Sequence, residues 1–312
     1  MSSKPTGAVL IVGSVALDSV ETPAGRVEQA LGGAAVYSAV AASFFCPVRI
    51  VGVVGEDFPQ EHLAFLAERG IDTRGLRIVR GGRTFHWSGS YQGDMNQAQT
   101  IATELNVFQD FDPSLPDDYR RSEFVFLANI DPELQLKVLD QVPGARLTAC
   151  DTMNFWISGK REALLEVLRR VDIAFMNDAE VRQLTGQSNI TRAAAMIHRY
   201  GPHYVVVKKG EHGAVMYCDG STCFAAASYP LEEVIDPTGA GDSFAGGFMG
   251  YLAGAGTLDE PTVRRAVIFG STLASYNVQD FSLERLKRLS MRDINDRYEE
   301  FRRIVHFDAV EV

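Results

Sequence analysis

The amino-acid sequence predicts an α/β fold: a doubly wound, mostly parallel sheet flanked by helices, with a small β-sheet lid. Three observations predict it. Continuous apolar runs of strand length, AVLIV (8–12), VRIVGVV (48–54), FVFL (124–127) and YVVV (204–207), suit strands covered on both faces. Helix-length segments alternate with such runs through most of the chain. One segment, RTFHWSGSYQ (83–92), instead alternates apolar and polar residues with period two, as a half-exposed strand does.

The elements follow in order. AVLIV ends at Gly13 as the first strand, and a hairpin turning at Pro23-Ala24-Gly25 is expected over 18–30. LGGAAVYSAVAASFF (31–45) reads as a closely packed helix entered through a Gly-Gly turn, with VRIVGVV as the next strand. His62 to Arg69 is helical and stops at Gly70, a residue suited to the left-handed position after a helix. The strand at 83–92 pairs with QTIATELNVF (99–108) across GDMN (93–96), so the lid comprises about 18–31 and 83–108. Strands at 124–127, 146–150, 171–176 and 204–207 then alternate with helices at 132–141, 159–170 and 191–200, Ser158 being the expected cap of the second. A strand pair is expected at 214–218 and 222–226. Three helices close the chain. The one after Asp242 places Phe244, Phe248 and Leu252 on one face, the next begins at Pro261, and the last (293–305) aligns Ile294, Tyr298, Phe301 and Val305. No linker or low-complexity stretch interrupts this order, so residues 1–312 are expected to form one domain.

Bulk properties exclude some functions. The chain has 312 residues, 46% hydrophobic and 22% charged, which is ordinary for a globular protein. A net charge of −10 argues against nucleic acid as a partner. It leaves room for an anionic ligand, because backbone amides can bind phosphate on an acidic protein. Cys46, Cys150, Cys218 and Cys223 form no CxxC pair and no zinc spacing, and are expected to be reduced core residues. The N-terminal apolar run is too short for a secretory signal, and no apolar stretch reaches membrane-spanning length. A cytoplasmic protein with no membrane partner is therefore expected.

In an open doubly wound sheet, ligands sit beyond the C-terminal ends of the strands. Polar or glycine-rich clusters fall at such ends: Gly13 to Asp18, Asp151, Asn177 to Glu180, Lys208 to Gly213, and Asp236 to Asp242. The last, DPTGAGD, opens a helix, where unsatisfied amides carry partial positive charge. Gly239 and Gly241 let the backbone approach a phosphate closely. Asp242, in the first turn, is expected to be ionised at neutral pH. Taken alone, GAGD fits a helix cap with packing glycines equally well.

The longer DPTGAGDSFAGGF (236–248) resembles the C-terminal signature of the ribokinase or PfkB family of sugar and nucleoside kinases. LGGAAVYSAVAAS (31–43), GSVALD (13–18), VGVVGED (51–57), NDAE (177–180) and KKGEHGA (208–214) are similar to further family segments, in family order from about residue 8 to 285. The resemblance implies a ribokinase-like fold and transfer of the γ-phosphoryl of ATP to a hydroxyl, usually a primary alcohol, of a small sugar or nucleoside. It implies Asp242 as base and the amides of Gly239, Ala240 and Gly241 as anion hole. Asn177 and Glu180 would organise Mg²⁺, largely through water, while Lys208, Gly210 and Gly213 would lie along the nucleotide. Ser271, Leu273, Ala274 and Asn277 would border adenine. Asp18, Gly32, Gly33, Tyr37 and Asp151 would face the substrate. Asp236 and Thr238 resemble part of the monovalent-cation loop of some members, which would hold K⁺.

The chemistry is coherent with those roles. Phosphoryl transfer has a loose transition state, so a weak carboxylate base suffices when positioned, and the amides meet the larger demand of stabilising charge. The chain departs from ribokinase proper at Ala16, Ala34 and Tyr37, where Asn, Lys and Asn are expected. Free ribose is thereby disfavoured against a flatter substrate such as a nucleoside. Phe85, Trp87 and Tyr91 on the lid suit either such a substrate or a homodimer formed through paired lids. Two other readings compete: a catalytically silent sensor on the same fold, and an NAD-dependent oxidoreductase. The latter lacks the GxGxxG that should follow the first strand.

Overall fold

The C-terminal ends of a nine-stranded sheet and the underside of a four-stranded lid together frame one cleft. The structure, a computed structural model, describes residues 7–308 apart from 94, 97, 219 and 220, and the side chains of 222 and 223 also lie outside it. In chain order the first strands are β1 (Val9–Val12), β2 (Ala16–Thr22), β3 (Gly25–Gly32), β4 (Val48–Gly55), β5 (Ile71–Val79), β6 (Phe85–Tyr91) and β7 (Ala98–Glu104). They are followed by β8 (Phe124–Leu127), β9 (Leu147–Asp151), β10 (Ile173–Asn177), β11 (Tyr204–Lys208), β12 (Ala214–Cys218) and β13 (Ser221–Ala226). The helices are α1 (Ala34–Ala42), α2 (Gln60–Glu68), α3 (Pro132–Gln141), α4 (Asn154–Gly159), α5 (Arg161–Arg170) and α6 (Asp178–Thr185). The remainder are α7 (Ile190–His198), α8 (Ala240–Ala255), α9 (Glu260–Asn277), α10 (Glu284–Lys287) and α11 (Met291–Val305).

The main sheet runs β13-β12-β11-β10-β9-β8-β1-β4-β5. Its neighbours are parallel except where β12 opposes β11 and β13. Every residue of β1 and β8 is buried, as their unbroken apolar runs predict. Two apolar layers result, one under α1, α8 and α9 and one under α3, α5, α6 and α7. The lid runs β3-β2-β6-β7: two antiparallel hairpins joined through a parallel β2–β6 pairing. β2 follows β1 after three residues, so the lid grows out of the sheet's C-terminal edge.

Close packing of α1 on α8 fixes the cleft. A Cβ at Gly246 would stand 2.2 Å from the Ser38 carbonyl oxygen, and one at Gly250 would stand 2.6 Å from the Ala42 Cα. These glycines let the two helices touch backbone to backbone. Ser38 Oγ reinforces the contact by donating to the Asp242 carbonyl at 3.0 Å.

Several expectations need correction. β5 was not anticipated, because as an edge strand it is mostly half-buried or exposed and shows no apolar run. Neither α6 nor α10 was assigned a helix. The helix expected at 159–170 breaks at Lys160, and Ser158 lies inside α4, accepting from Gln183 Nε2, instead of capping α5. Of the cysteines expected to be reduced, Cys46 and Cys150 are free and buried, Cys218 is in a disulfide, and the Cys223 side chain lies outside the description. The expected GDMN turn includes residue 94, which is also outside it. No helix among the described residues is long and apolar enough to cross a membrane.

Candidate active site

Asp18 enters the cleft from β2 and is 5% exposed. Its Oδ2 accepts from the Gly33 amide at 3.3 Å and lies 1.9 Å from where a Gly32 Cβ would stand, so only glycine fits at 32. Burial pushes the Asp18 carboxyl up to about 7; the Gly33 amide opposes the rise, and Asp236 and Asp242 add to it. A charge this poorly solvated is primed to accept hydrogen bonds from a ligand.

The loop before α8 is braced from several sides. Gly239, its N-cap, takes φ 75, and a Cβ there would sit 2.4 Å from the Tyr37 ring. Asp236 is fully buried; Oδ1 accepts from the Thr238 amide at 2.9 Å and Oδ2 from the Ser282 amide at 3.0 Å. Asn277, also fully buried, donates to the Thr238 carbonyl at 2.8 Å and accepts from Ser243 Oγ at 3.0 Å. Thr238 Oγ1 donates to the Tyr91 hydroxyl at 3.2 Å, tying the loop to the lid. A helix N-terminus held this rigidly presents its amides without reorganisation.

Asp242 lies in the first turn of α8. Where sequence reasoning expects a plainly ionised carboxylate, burial raises its pKa to about 7, with Asp151 adding and Lys208 opposing. Desolvation here outweighs the helix dipole, worth only about 0.3–1 kcal/mol. A carboxyl titrating near neutrality is a stronger base than an ordinary one.

The third wall comes from β9, β10 and β11. Lys208 Nζ is 2.5 Å from Asp151 Oδ2 and 3.0 Å from the Cβ position of Gly241. Lys208 is held above its usual pKa, since Asp151, Glu180 and Asp242 together outweigh the opposing effect of burial. Asn177 and Glu180 form a reciprocal cap on α6. The Glu180 amide donates to Asn177 Oδ1 at 2.8 Å, and Glu180 Oε2 accepts from the Asn177 amide at 2.7 Å. Burial lifts the Glu180 carboxyl to about 7, against the pull of Lys208. The same cap holds Glu180 near Lys208, Asp151 and Asp242.

The structure distributes the remaining residues unevenly. Tyr37 is 1% exposed, with its ring beneath Gly239; burial, then Asp18 and Asp236, hold its phenol well above the usual range. Asp151 stands with Lys208 beside Gly241. Gly213 packs under β13, where a Cβ would lie 2.1 Å from the Ala226 carbonyl oxygen. Gly210 lies under the lid turn, near the Asn96 side chain. Ser271 and Ala274 are half-buried on α9, and Leu273 is fully buried. Phe85 stacks on Phe108 at 5.3 Å between ring centres, while Trp87 Nε1 donates to Thr100 within the lid. Sequence reasoning missed Ser38, Ser282 and the Tyr91–Thr238 link. Only the alternation of β6 hinted at the last, by placing Tyr91 on the inward face.

Among the described residues, no group of three or more His, Cys, Asp or Glu is arranged to hold a metal ion. Asp151, Glu180 and Asp242 nevertheless surround a single ammonium. A polyphosphate entering here brings more negative charge, so a divalent cation held mainly by phosphate and water fits the donor set.

Known proteins resemble this chain in sequence and in fold. The model of the pfkB family of carbohydrate kinases matches residues 8–286. A cytidine kinase from Thermococcus kodakarensis is 34% identical over 251 residues, covering 79% of this chain and 89% of that protein. A nucleoside kinase from Methanocaldococcus jannaschii, described as an archaeal member of the ribokinase family, superposes with a TM-score of 0.76 at 22% identity, over 94% of this chain and 98% of that one. An Arabidopsis thaliana ribokinase complexed with ribose and ATP also gives 0.76 at 22% identity, over 94% and 99%. The last two likenesses establish a shared fold; the family match spans the lid hairpins, the DPTGAGD loop and every strand of the main sheet. This chain therefore belongs to the pfkB family of carbohydrate kinases.

Proposed function

We propose that this kinase transfers the γ-phosphoryl group of ATP to a hydroxyl of a nucleoside, with Asp242 accepting the hydroxyl proton. The observation that carries the proposal is the placement of Asp242 at a braced helix N-terminus, with Asp18 on one side and Lys208 on the other. The acceptor enters between Asp18 and the lid, and its diol or sugar hydroxyls donate to the Asp18 carboxylate. The amides of Gly239, Ala240 and Gly241 receive the charge that builds on the transferring group. Lys208 meets the phosphate oxygens. Glu180 acts on Mg²⁺ through water, since both its oxygens already accept from Asn177. Mg²⁺ supplies charge neutralisation between the phosphates and this acidic wall.

A nucleoside is favoured over a free sugar on two grounds. The relative at 34% identity bears the name cytidine kinase. Ala16 and Ala34 also remove polar groups from the acceptor side, where a free pentose would need them.

The test has two stages. A thermal-shift screen of nucleosides and sugars with a nonhydrolysable ATP analogue and Mg²⁺ selects an acceptor, because a ligand at 100 times its Kd stabilises by about 2.7 kcal/mol. The acceptor then enters an ADP-release assay. Asp242→Asn should lower kcat by about a thousandfold or more while retaining analogue binding. Near wild-type turnover in that variant would remove Asp242 as the base. Absence of ADP release across the whole panel would favour the silent sensor.

A further inference from the structure

We infer that Asp151 is a positioning residue for Lys208 and not a contact for the acceptor; this rests on the kinase reading above. Three observations carry it. First, each oxygen of the Asp151 carboxylate already has a protein partner. Oδ2 meets Lys208 Nζ at 2.5 Å and Oδ1 accepts from the Thr152 amide at 2.8 Å, and the side chain is only 4% exposed. A sugar hydroxyl would have to share these oxygens with Lys208 and Thr152 in a nearly closed position. Second, the ammonium so held stands 3.0 Å from the Gly241 Cβ position, beside the amides of the anion loop. Third, position 34, where a lysine is expected from the resemblance, is Ala34, so that position supplies no cation.

The physical need is clear. A lysine stem is long and flexible, and its charge acts on phosphate only where the stem is fixed. Three carboxylates compete for this ammonium: Asp151, Glu180 and Asp242. If Asp242 or Glu180 captured it, the base or the metal-organising group would be masked. Asp151, in direct contact with it, keeps the charge between the other two and pointed at Gly241. The pair is almost wholly desolvated, with side-chain exposures of 4% and 17%, and such pairs contribute little net stability compared with neutral replacements. Its use is therefore geometric.

A double-mutant cycle tests this with two readouts: affinity for a nonhydrolysable ATP analogue with Mg²⁺ by calorimetry, and KM for each substrate separately. Asp151→Asn and Lys208→Met should each weaken analogue binding about tenfold or more, with the acceptor KM changed less than twofold. The double variant should be no worse than Lys208→Met alone, because Asp151 acts through Lys208. It should also unfold within a few degrees of wild type, which guards against misfolding of either single variant. Multiplicative losses, or an acceptor KM raised tenfold in Asp151→Asn with analogue binding intact, would overturn the assignment and return Asp151 to the acceptor side. Analogue binding unchanged in Asp151→Asn overturns it as well. Failure of the wild-type protein to release ADP while still binding the analogue refutes the kinase reading alone, whereas failure to bind the analogue refutes both.

Discussion

Replacing Asp18 with Asn should make the ligand-free protein more stable and less able to hold its acceptor. The magnitude follows from burial. The carboxyl rises from an ordinary 3.8 to about 7, chiefly because burial penalises its charge. At about 1.4 kcal/mol per tenfold, the ionised side chain carries a penalty of ~4 kcal/mol in the native state. Asn keeps the shape and can still accept from the Gly33 amide, but carries no charge. The sign depends on pH. Above pH 7 the native carboxylate is ionised and the penalty is complete, so the gain from Asn is largest. As pH falls through 7 the native Asp18 takes up a proton while the unfolded one stays ionised, and the gain shrinks, to ~2 kcal/mol at pH 5 and near zero below 3.8. Urea unfolding of both proteins at pH 8 and pH 5, without ligands, measures this difference. The same variant should raise the acceptor KM by about a hundredfold, as expected on losing a charged hydrogen-bond acceptor. A variant less stable than wild type at pH 8 would refute the argument. It would mean that the Asp18 charge supports the fold, and the case for a ligand-facing carboxylate would lose its physical basis.

Three further outcomes are expected. Because Asp242 is raised to about 7 and must be ionised to accept a proton, kcat/KM should climb as pH rises through 7 and fall about tenfold per unit below it; a profile flat from pH 5 to 8 would contradict this. Gly239→Ala should destabilise the protein by about 2–3 kcal/mol and remove most activity, since φ 75 is strained for alanine and the new Cβ would meet the Tyr37 ring; unfolding curves and ADP release read both effects. Tyr91→Phe deletes the lid's bond to Thr238 and should lower stability by about 1 kcal/mol. If the lid closes on the acceptor, the acceptor should protect residues 83–108 of the wild type from proteolysis, and Tyr91→Phe should abolish that protection; undiminished protection would show that the link does not couple lid to loop.

The family and most of the scaffold were legible in the chain because they rest on local signals. Unbroken apolar runs mark strands buried on both faces, as in β1 and β8. DPTGAGD encodes its own left-handed N-cap and helix start at Gly239. Asn177 and Glu180, three residues apart, cap one another. β5 escaped because an edge strand needs only its partner's backbone, and its exposed residues carry no pattern.

What the sequence by itself determined is therefore the βα order, the lid hairpins and the kinase motifs, each set by residues adjacent in the chain. Tertiary structure alone decided the electrostatics and the partnerships. Asp242 looks like an ordinary first-turn carboxylate until burial and Asp151, 91 positions away, lift it toward neutrality. Nothing local to Tyr37 announces that its ring packs under Gly239, 202 positions on. Asp151 looks like a free strand-end acid until Lys208, 57 residues on, closes over it. Desolvation and through-space charge depend on every neighbour at once, and no local pattern records them.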